Sequence, residues 1–249
     1  MKKNSSSRSL SGFSLVELSI VITIIGLIIG AVLGGKALLE QSQVSKMIAQ
    51  VEEIKTSHLR FKDKYGQSPG DFNAAARFWP AKCIDDGTNT CNGNGDGNIS
   101  FDDRESLRAW QHLTLSGLYP STFTGIWDGG LKLNTNIPAA VIPQTGIDVN
   151  FHEVSGAFAP VFGRNGNSIQ LGSETTFPTW GGATFTPEEA YQIDKKFDDA
   201  LASTGYFLTS TTGAVSVPNC TSNRETSATG DYVLSNNART CRIWIFGLN

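Results

Sequence analysis

The chain of 249 residues carries a formal net charge of -3 and is only 17% charged, which excludes a basic face for nucleic acid or anionic lipid. Its 26 glycines suit a loop-rich body, while an aromatic content of 10% excludes a disordered one and points to a packed core. Three histidines, His58, His112 and His152, without a Walker loop, a Gly-x-Ser-x-Gly elbow or a metal-dyad spacing, give no basis for an enzyme.

Residues 1–12 are polar and basic, with Lys2, Lys3 and Arg8 and no acid. From Phe13 to Gly35 the only charge is Glu17, and the apolar run is long enough for a helix to cross a bilayer core of about 30 Å. The run passes without a break into a helical pattern, which argues against removal of the whole segment as a secretory signal peptide. Basic residues ahead of the span keep the N-terminus cytoplasmic and place the rest outside. A carboxylate in such a segment costs on the order of 2.5 to 3.5 kcal/mol at mid-membrane, so Glu17 needs a partner.

Gly12-Phe13-Ser14-Leu15-Val16-Glu17-Leu18 resembles the type IV prepilin and type II secretion pseudopilin signature. The resemblance implies a membrane peptidase that cuts after Gly12, methylation of the new N-terminal Phe13, and a Glu17 carboxylate that pairs with a neighbouring subunit's N-terminus during assembly. It also implies the partners: other pilin or pseudopilin subunits, prepilin peptidase, the inner membrane and an assembly platform, with no nucleic acid expected. The corresponding localisation is the bacterial inner membrane, single-pass with a periplasmic head, and then the pilus or pseudopilus.

Past the span, Val44, Met47, Ile48, Val51, Ile54, His58, Phe61 and Tyr65 recur at three and four residues and predict one continuous helix to about Tyr65. His58 on that stripe reads as a buried histidine rather than a ligand. Gly26, Gly30 and Gly34 permit close helix contact in a membrane and also lower helix propensity there. The expected organisation is a leader at 1–12, a helix at 13–65 with its transmembrane half at 13–35, and an exported head at 66–249. The fold class is α+β, with the long helix packed against a head of short helices and an antiparallel sheet.

Gly66 and Ser68-Pro69-Gly70 end the long helix, and a short one is expected from Asp71-Phe72 to Trp79-Pro80. The run FKDKYGQSPGD, Phe61 to Asp71, resembles the F-x-x-x-Y-G-x-x-P-G-D junction of some pilin-like proteins. Cys83 with Cys91 and Cys220 with Cys241 form two local pairs, read as disulfides in an exported chain because their spacing fits no zinc knuckle.

In Asn92 to Asp103 side-chain oxygens alternate around Gly97. Set on a calcium loop, Asn92, Asn94 and Asp96 bind directly, Asn98 through its carbonyl, Ser100 through water, and Asp103 closes the shell. The segment resembles EF-hand and dockerin loops, with Asn rather than Asp at the first position and Asp rather than Glu at the last. It lacks an entering helix, and Leu107, Trp110 and Leu113 face one way on the exit helix. With two charged ligands, Ca²⁺ affinity falls near the weak extracellular range of about 10⁻⁴ to 10⁻³ M.

Strands are expected at Ile147 to Val154 and Ser168 to Leu171. Thr186-Pro187-Glu188-Glu189 is a helix start, with Thr186 as cap and Glu189 completing a capping box. Asp194, Asp198 and Asp199 read as charges on that helix's surface. Tyr206 to Thr209, Ala214 to Val217, Tyr232 to Leu234 and Arg242 to Phe246 read as strands of a final antiparallel sheet. Cys220 and Cys241 bracket a segment resembling the C-terminal disulfide-bounded region of many type IV pilins, where the loop contacts partners. The function expected is a structural subunit of a type IV pilus or a type II secretion pseudopilus. The alternative is a minor tip subunit acting as an adhesin or a ligand- or DNA-binding module.

Overall fold

A computed structural model describes residues 14–83, 91–152, 165–173, 182–211, 220–222 and 231–248. In chain order the elements are α1 (Leu15–Tyr65), α2 (Ala75–Phe78), α3 (Glu105–Leu115), β1 (Thr145–His152), β2 (Gly166–Ser173), α4 (Pro187–Phe197), β3 (Phe207–Thr211) and β4 (Cys241–Phe246). The architecture is α+β, a long N-terminal helix followed by short helices and one antiparallel sheet. The chain divides into two compact units, Met1–Gln43 and Val44–Asn249.

In the first unit the apolar side chains of α1 are exposed on every side, from Leu15 through Leu39. This is the only stretch among the described residues long and apolar enough to cross a membrane. In the second unit α1 becomes one-sided. Val44, Met47, Val51, Ile54 and Phe61 are buried, and the alternation of three and four residues keeps them on one stripe. Two polar clamps hold this part of α1: Gln50 donates to the Ala139 carbonyl at 2.8 Å and accepts from Val141 N–H, and Ser57 donates to the Leu118 carbonyl.

The sheet has the order β1-β2-β4-β3, with every neighbour antiparallel. The register sets Val149 opposite Ile169, Ile169 opposite Ile245, and Ile245 opposite Phe207, a continuous apolar row across all four strands. Ile147, Leu171 and Ile243 form the next row on the same face, as the period-two alternation of strands requires. Both rows join the core that contains the α1 stripe and Leu107, Ala109, Trp110 and Leu113 of α3. On the other face, Leu208, Trp244 and Phe246 make a small separate cluster. β4 is therefore buried on both sides, which explains the run of large apolar residues from Ile243 to Phe246.

α4 starts as expected: Thr186 accepts from Glu189 N–H at 3.1 Å while Glu189 accepts from Thr186 N–H at 2.9 Å. Tyr232 to Leu234 differs from the expected strand. Tyr232 makes a single bridge to Thr221, and the turn in which Asn236 N–H donates to the Val233 carbonyl ends the pairing at once. The strand expected at Ala214 to Val217 lies outside the described residues, as does the end of the one expected to reach Val154.

Both disulfides are present, Cys83 to Cys91 and Cys220 to Cys241. The second ties a buried position at 220 to the first residue of β4, whose backbone also exchanges hydrogen bonds with Phe185. Replacing Cys220 and Cys241 together with Ser is expected to lower stability by roughly 3 kcal/mol on the loop-entropy account. Denaturant midpoints of the two proteins measure this, and equal midpoints would contradict it.

Candidate functional site

The expected cut site, Gly12 and Phe13, lies outside the described residues. Glu17 stands in the first turn of α1, and its carboxylate accepts from Ser14 N–H at 2.8 Å while Ser14 Oγ accepts from Glu17 N–H at 3.2 Å. These reciprocal bonds make a capping box, the pattern already spelled by Ser14-Leu15-Val16-Glu17. Within one chain the carboxylate thus has a backbone partner.

The head's polar centre forms where α1 ends. Gly66 turns the chain, and Gly70, at φ +92°, lies so close to α3 that an added Cβ would fall 2.4 Å from the Glu105 carbonyl oxygen. On the opposite side of this turn sits Gly93, where a Cβ would meet the Gly70 carbonyl oxygen at 2.2 Å and the Asp71 backbone at 2.3 Å. Only glycine fits between these backbones. The Asn92 to Asp103 loop is consequently pressed against the Ser68-Pro69-Gly70-Asp71 turn.

The loop is anchored on its other side by the sheet. Asn167, next to the start of β2, accepts from Ile99 N–H at 2.8 Å and donates to the Gly97 carbonyl at 3.0 Å. Phe151 N–H of β1 donates to the Ile99 carbonyl, and Ile99 itself is fully buried. Within the loop, Asn94 Oδ1 accepts from Asp96 N–H and Asp96 Oδ1 accepts from Asn98 N–H, two successive Asx turns.

Of the residues expected as metal ligands, Asn94, Asp96 and Asp103 come together. Asn94 Nδ2 donates to both Asp96 Oδ2 and Asp103 Oδ2 at 3.3 Å. Asn92 faces elsewhere, its Oδ1 accepting from Ala76 N–H at 2.8 Å at the head of α2. Ser100 Oγ accepts from Asp103 N–H.

Two carboxylates that the loop pattern left out lie close to Asp96. Asp71, from the turn after α1, accepts from Gly97 N–H at 3.0 Å. Glu105, the first residue of α3, is completely buried and accepts from Asn94 N–H at 2.7 Å and Ser100 N–H at 2.9 Å. One oxygen each of Asp71, Asp96 and Glu105 lies within 4.8 Å of the others. Burial pushes the Glu105 carboxyl up to about 7, and the charges of Asp71 and Asp96 push it the same way. Burial likewise raises Asp71. The available sequence signals were an acid directly after Pro69-Gly70 and an acid in the first turn of α3.

His112 braces this arrangement. Its Nδ1 accepts from Gly70 N–H at 2.9 Å, which leaves the proton on Nε2 to donate to the Cys91 carbonyl at 2.9 Å. The ring stacks on Phe61 at 6.0 Å and meets Phe72 edge-on. Burial lowers its pKa to about 4, with the Arg108 charge acting in the same direction.

A second acidic group, Asp194, Asp198 and Asp199, closes the end of α4. Asp194 is buried rather than on the helix surface, accepting from Tyr232 O–H at 2.8 Å and Ala200 N–H at 3.3 Å. Asp198 accepts from Tyr206 and Phe207 N–H, and Asp199 from Leu201 N–H and Thr204 O–H. Its carboxylates are thus engaged in holding the chain between α4 and β3.

No family model matches the chain, and comparison with curated proteins and solved structures gives no significant match.

In the folded chain His112 stays neutral to about pH 4, whereas an unfolded histidine takes up a proton near 6.5. The unfolded state then binds more protons between these values, so the contribution of His112 to stability is complete above 6.5 and is lost as pH falls towards 4. The stability advantage of the wild type over His112→Gln is expected to shrink by roughly 3 kcal/mol from neutral to acid. Denaturant melts of both proteins across that range provide the measurement, and a constant difference would refute a neutral buried ring.

Proposed function

We propose that the chain is a structural subunit of a type IV pilus or type II secretion pseudopilus, cut after Gly12 and assembled through its N-terminal helix. The observation that carries this reading is α1. A single helix, Leu15–Tyr65, has apolar residues exposed all round over its first part and a buried one-sided stripe over its second. The first part suits lipid before assembly and the apolar helices of other subunits after it; the second anchors the exported head. Two disulfides agree with an oxidising compartment outside the cytoplasm.

In this reading Glu17 changes partners. In the single chain its carboxylate caps Ser14, next to the position where cleavage before Phe13 would create a free α-amino group. A neighbouring subunit's amino terminus offers the same carboxylate a full charge in place of a backbone dipole. The partners are therefore further copies or related subunits, a prepilin peptidase, and an assembly platform in the inner membrane.

Intact-mass measurement of protein extracted from membranes containing prepilin peptidase is expected to show loss of residues 1–12 and gain of one methyl group. Retention of Met1 would end the proposal. Glu17→Ala is expected to insert into membranes as well as the wild type, because it removes a charge from the apolar segment. It is also expected to enter sheared filaments poorly when co-expressed with the wild type, and equal incorporation would remove the assembly role of the carboxylate.

A further inference from the structure

We propose that Asp71, Asp96 and Glu105 form a binding site for one Ca²⁺, which fastens together the turn after α1, the Asn92 to Asp103 loop and the start of α3. The three residues come from three separate segments, yet one oxygen from each falls within 4.8 Å of the others. Asp71 is only 2% exposed, and while Oδ2 accepts from Gly97 N–H, Oδ1 is buried with no partner of full hydrogen-bond geometry, the N–H groups of Gly95 and Asp96 turning only their dipoles towards the carboxylate. A buried carboxylate oxygen without a donor is costly unless a positive charge meets it. Among the described residues no lysine or arginine forms an ion pair with any of the three carboxylates. A cation supplies the missing charge.

The donor chemistry selects the ion. All three groups are hard oxygen donors, with no imidazole or thiolate among them, which favours Ca²⁺ or Mg²⁺ over zinc or copper. Ca²⁺ accepts the irregular geometry of side chains drawn from a turn, a loop and a helix, and completes six to eight ligands with carbonyls and water, whereas Mg²⁺ demands a near-ideal octahedron. This ligand set shares Asp96 with the loop-only register but replaces Asn92 and Asp103 with Asp71 and Glu105. Three formal negative charges place the affinity tighter than about 10⁻⁴ M. The site is independent of the filament reading, since it lies wholly within the Val44–Asn249 unit.

The test uses the full chain in detergent micelles, stripped with chelator and then titrated with CaCl₂ by calorimetry, with thermal melts in parallel. The expected result is one Ca²⁺ per chain and a melting temperature that rises with free Ca²⁺ above the dissociation constant. Asp71→Asn and Glu105→Gln are each expected to weaken Ca²⁺ by about tenfold or more, while Asp103→Asn changes it by less than about threefold. Asp71→Asn keeps an oxygen for Gly97 N–H and removes a buried charge. It is therefore expected to melt no lower than the wild type in chelator and below it in Ca²⁺. Melting below the wild type by the same amount in both media would mean that Asp71 has a structural role alone and would overturn the proposal. So would the absence of heat and of a melting shift in the wild type, tighter binding of Mg²⁺ than Ca²⁺, or loss of binding in Asp103→Asn with Asp71→Asn unaffected.

Discussion

The head is organised around one neutral imidazole. His112 can accept from Gly70 N–H and donate to the Cys91 carbonyl only as the Nε2-protonated tautomer, and its burial keeps it in that form. Those two bonds set the path of the chain leaving α1 relative to the chain entering the loop, and both relative to α3. Phe61, Phe72 and Trp79 surround the ring, so the polar contacts sit within an aromatic shell that excludes water and strengthens them. The close approaches at Gly70 and Gly93 follow from the same geometry: with the turn pinned to α3 and the loop pinned to the turn, no volume remains for a side chain at either position.

The carboxylates next to this bracing lie where backbone N–H groups point. The Asn92 to Asp103 loop and its junction with α3 direct N–H groups of Asn94, Gly97 and Ser100 inward, and Asp71 and Glu105 are the acceptors that satisfy them. Neutral acceptors could satisfy the same donors, so hydrogen bonding alone does not account for buried acids at both places. Glu105 also stands at the N-terminal end of α3, where the helix dipole favours a negative charge. Local backbone dipoles thus offset part of the desolvation of the two acids, and their mutual repulsion with Asp96 acts against it.

Much of this fold was legible in the sequence, and the gaps have physical causes. The spacing from Val44 to Tyr65 marked the buried stripe of α1 because helical periodicity survives any tertiary context. Thr186 to Glu189 marked the start of α4 because a capping box is satisfied locally. Short apolar runs between turn signals located β1, β2 and β4 to within a few residues. Tyr232 to Leu234 carries the residues of a strand, but a hydrogen-bonded turn at Val233 to Asn236 prevents a ladder, and composition does not reveal that. The loop's alternating oxygens pointed to Asp96 and Asn94. Asp71 is invisible to any loop register because it arrives from another segment, and no loop pattern reveals that the Asn92 side-chain oxygen accepts from Ala76 N–H of α2. A local motif shows which atoms a loop can offer; the packing of neighbouring segments decides which of them it keeps free.

The Cys220 to Cys241 bridge has a mechanical consequence. β4 is bordered by β2 on one edge and β3 on the other, and at Cys241 itself by Thr211 and Phe185. Tension entering the chain at Cys220 passes through the bridge straight to Cys241, bypassing residues 221–240. It arrives at a strand that can yield only by breaking ladders along both edges, so an external pull on this part of the head is borne by an interior strand of the sheet rather than by the segment that the bridge encloses.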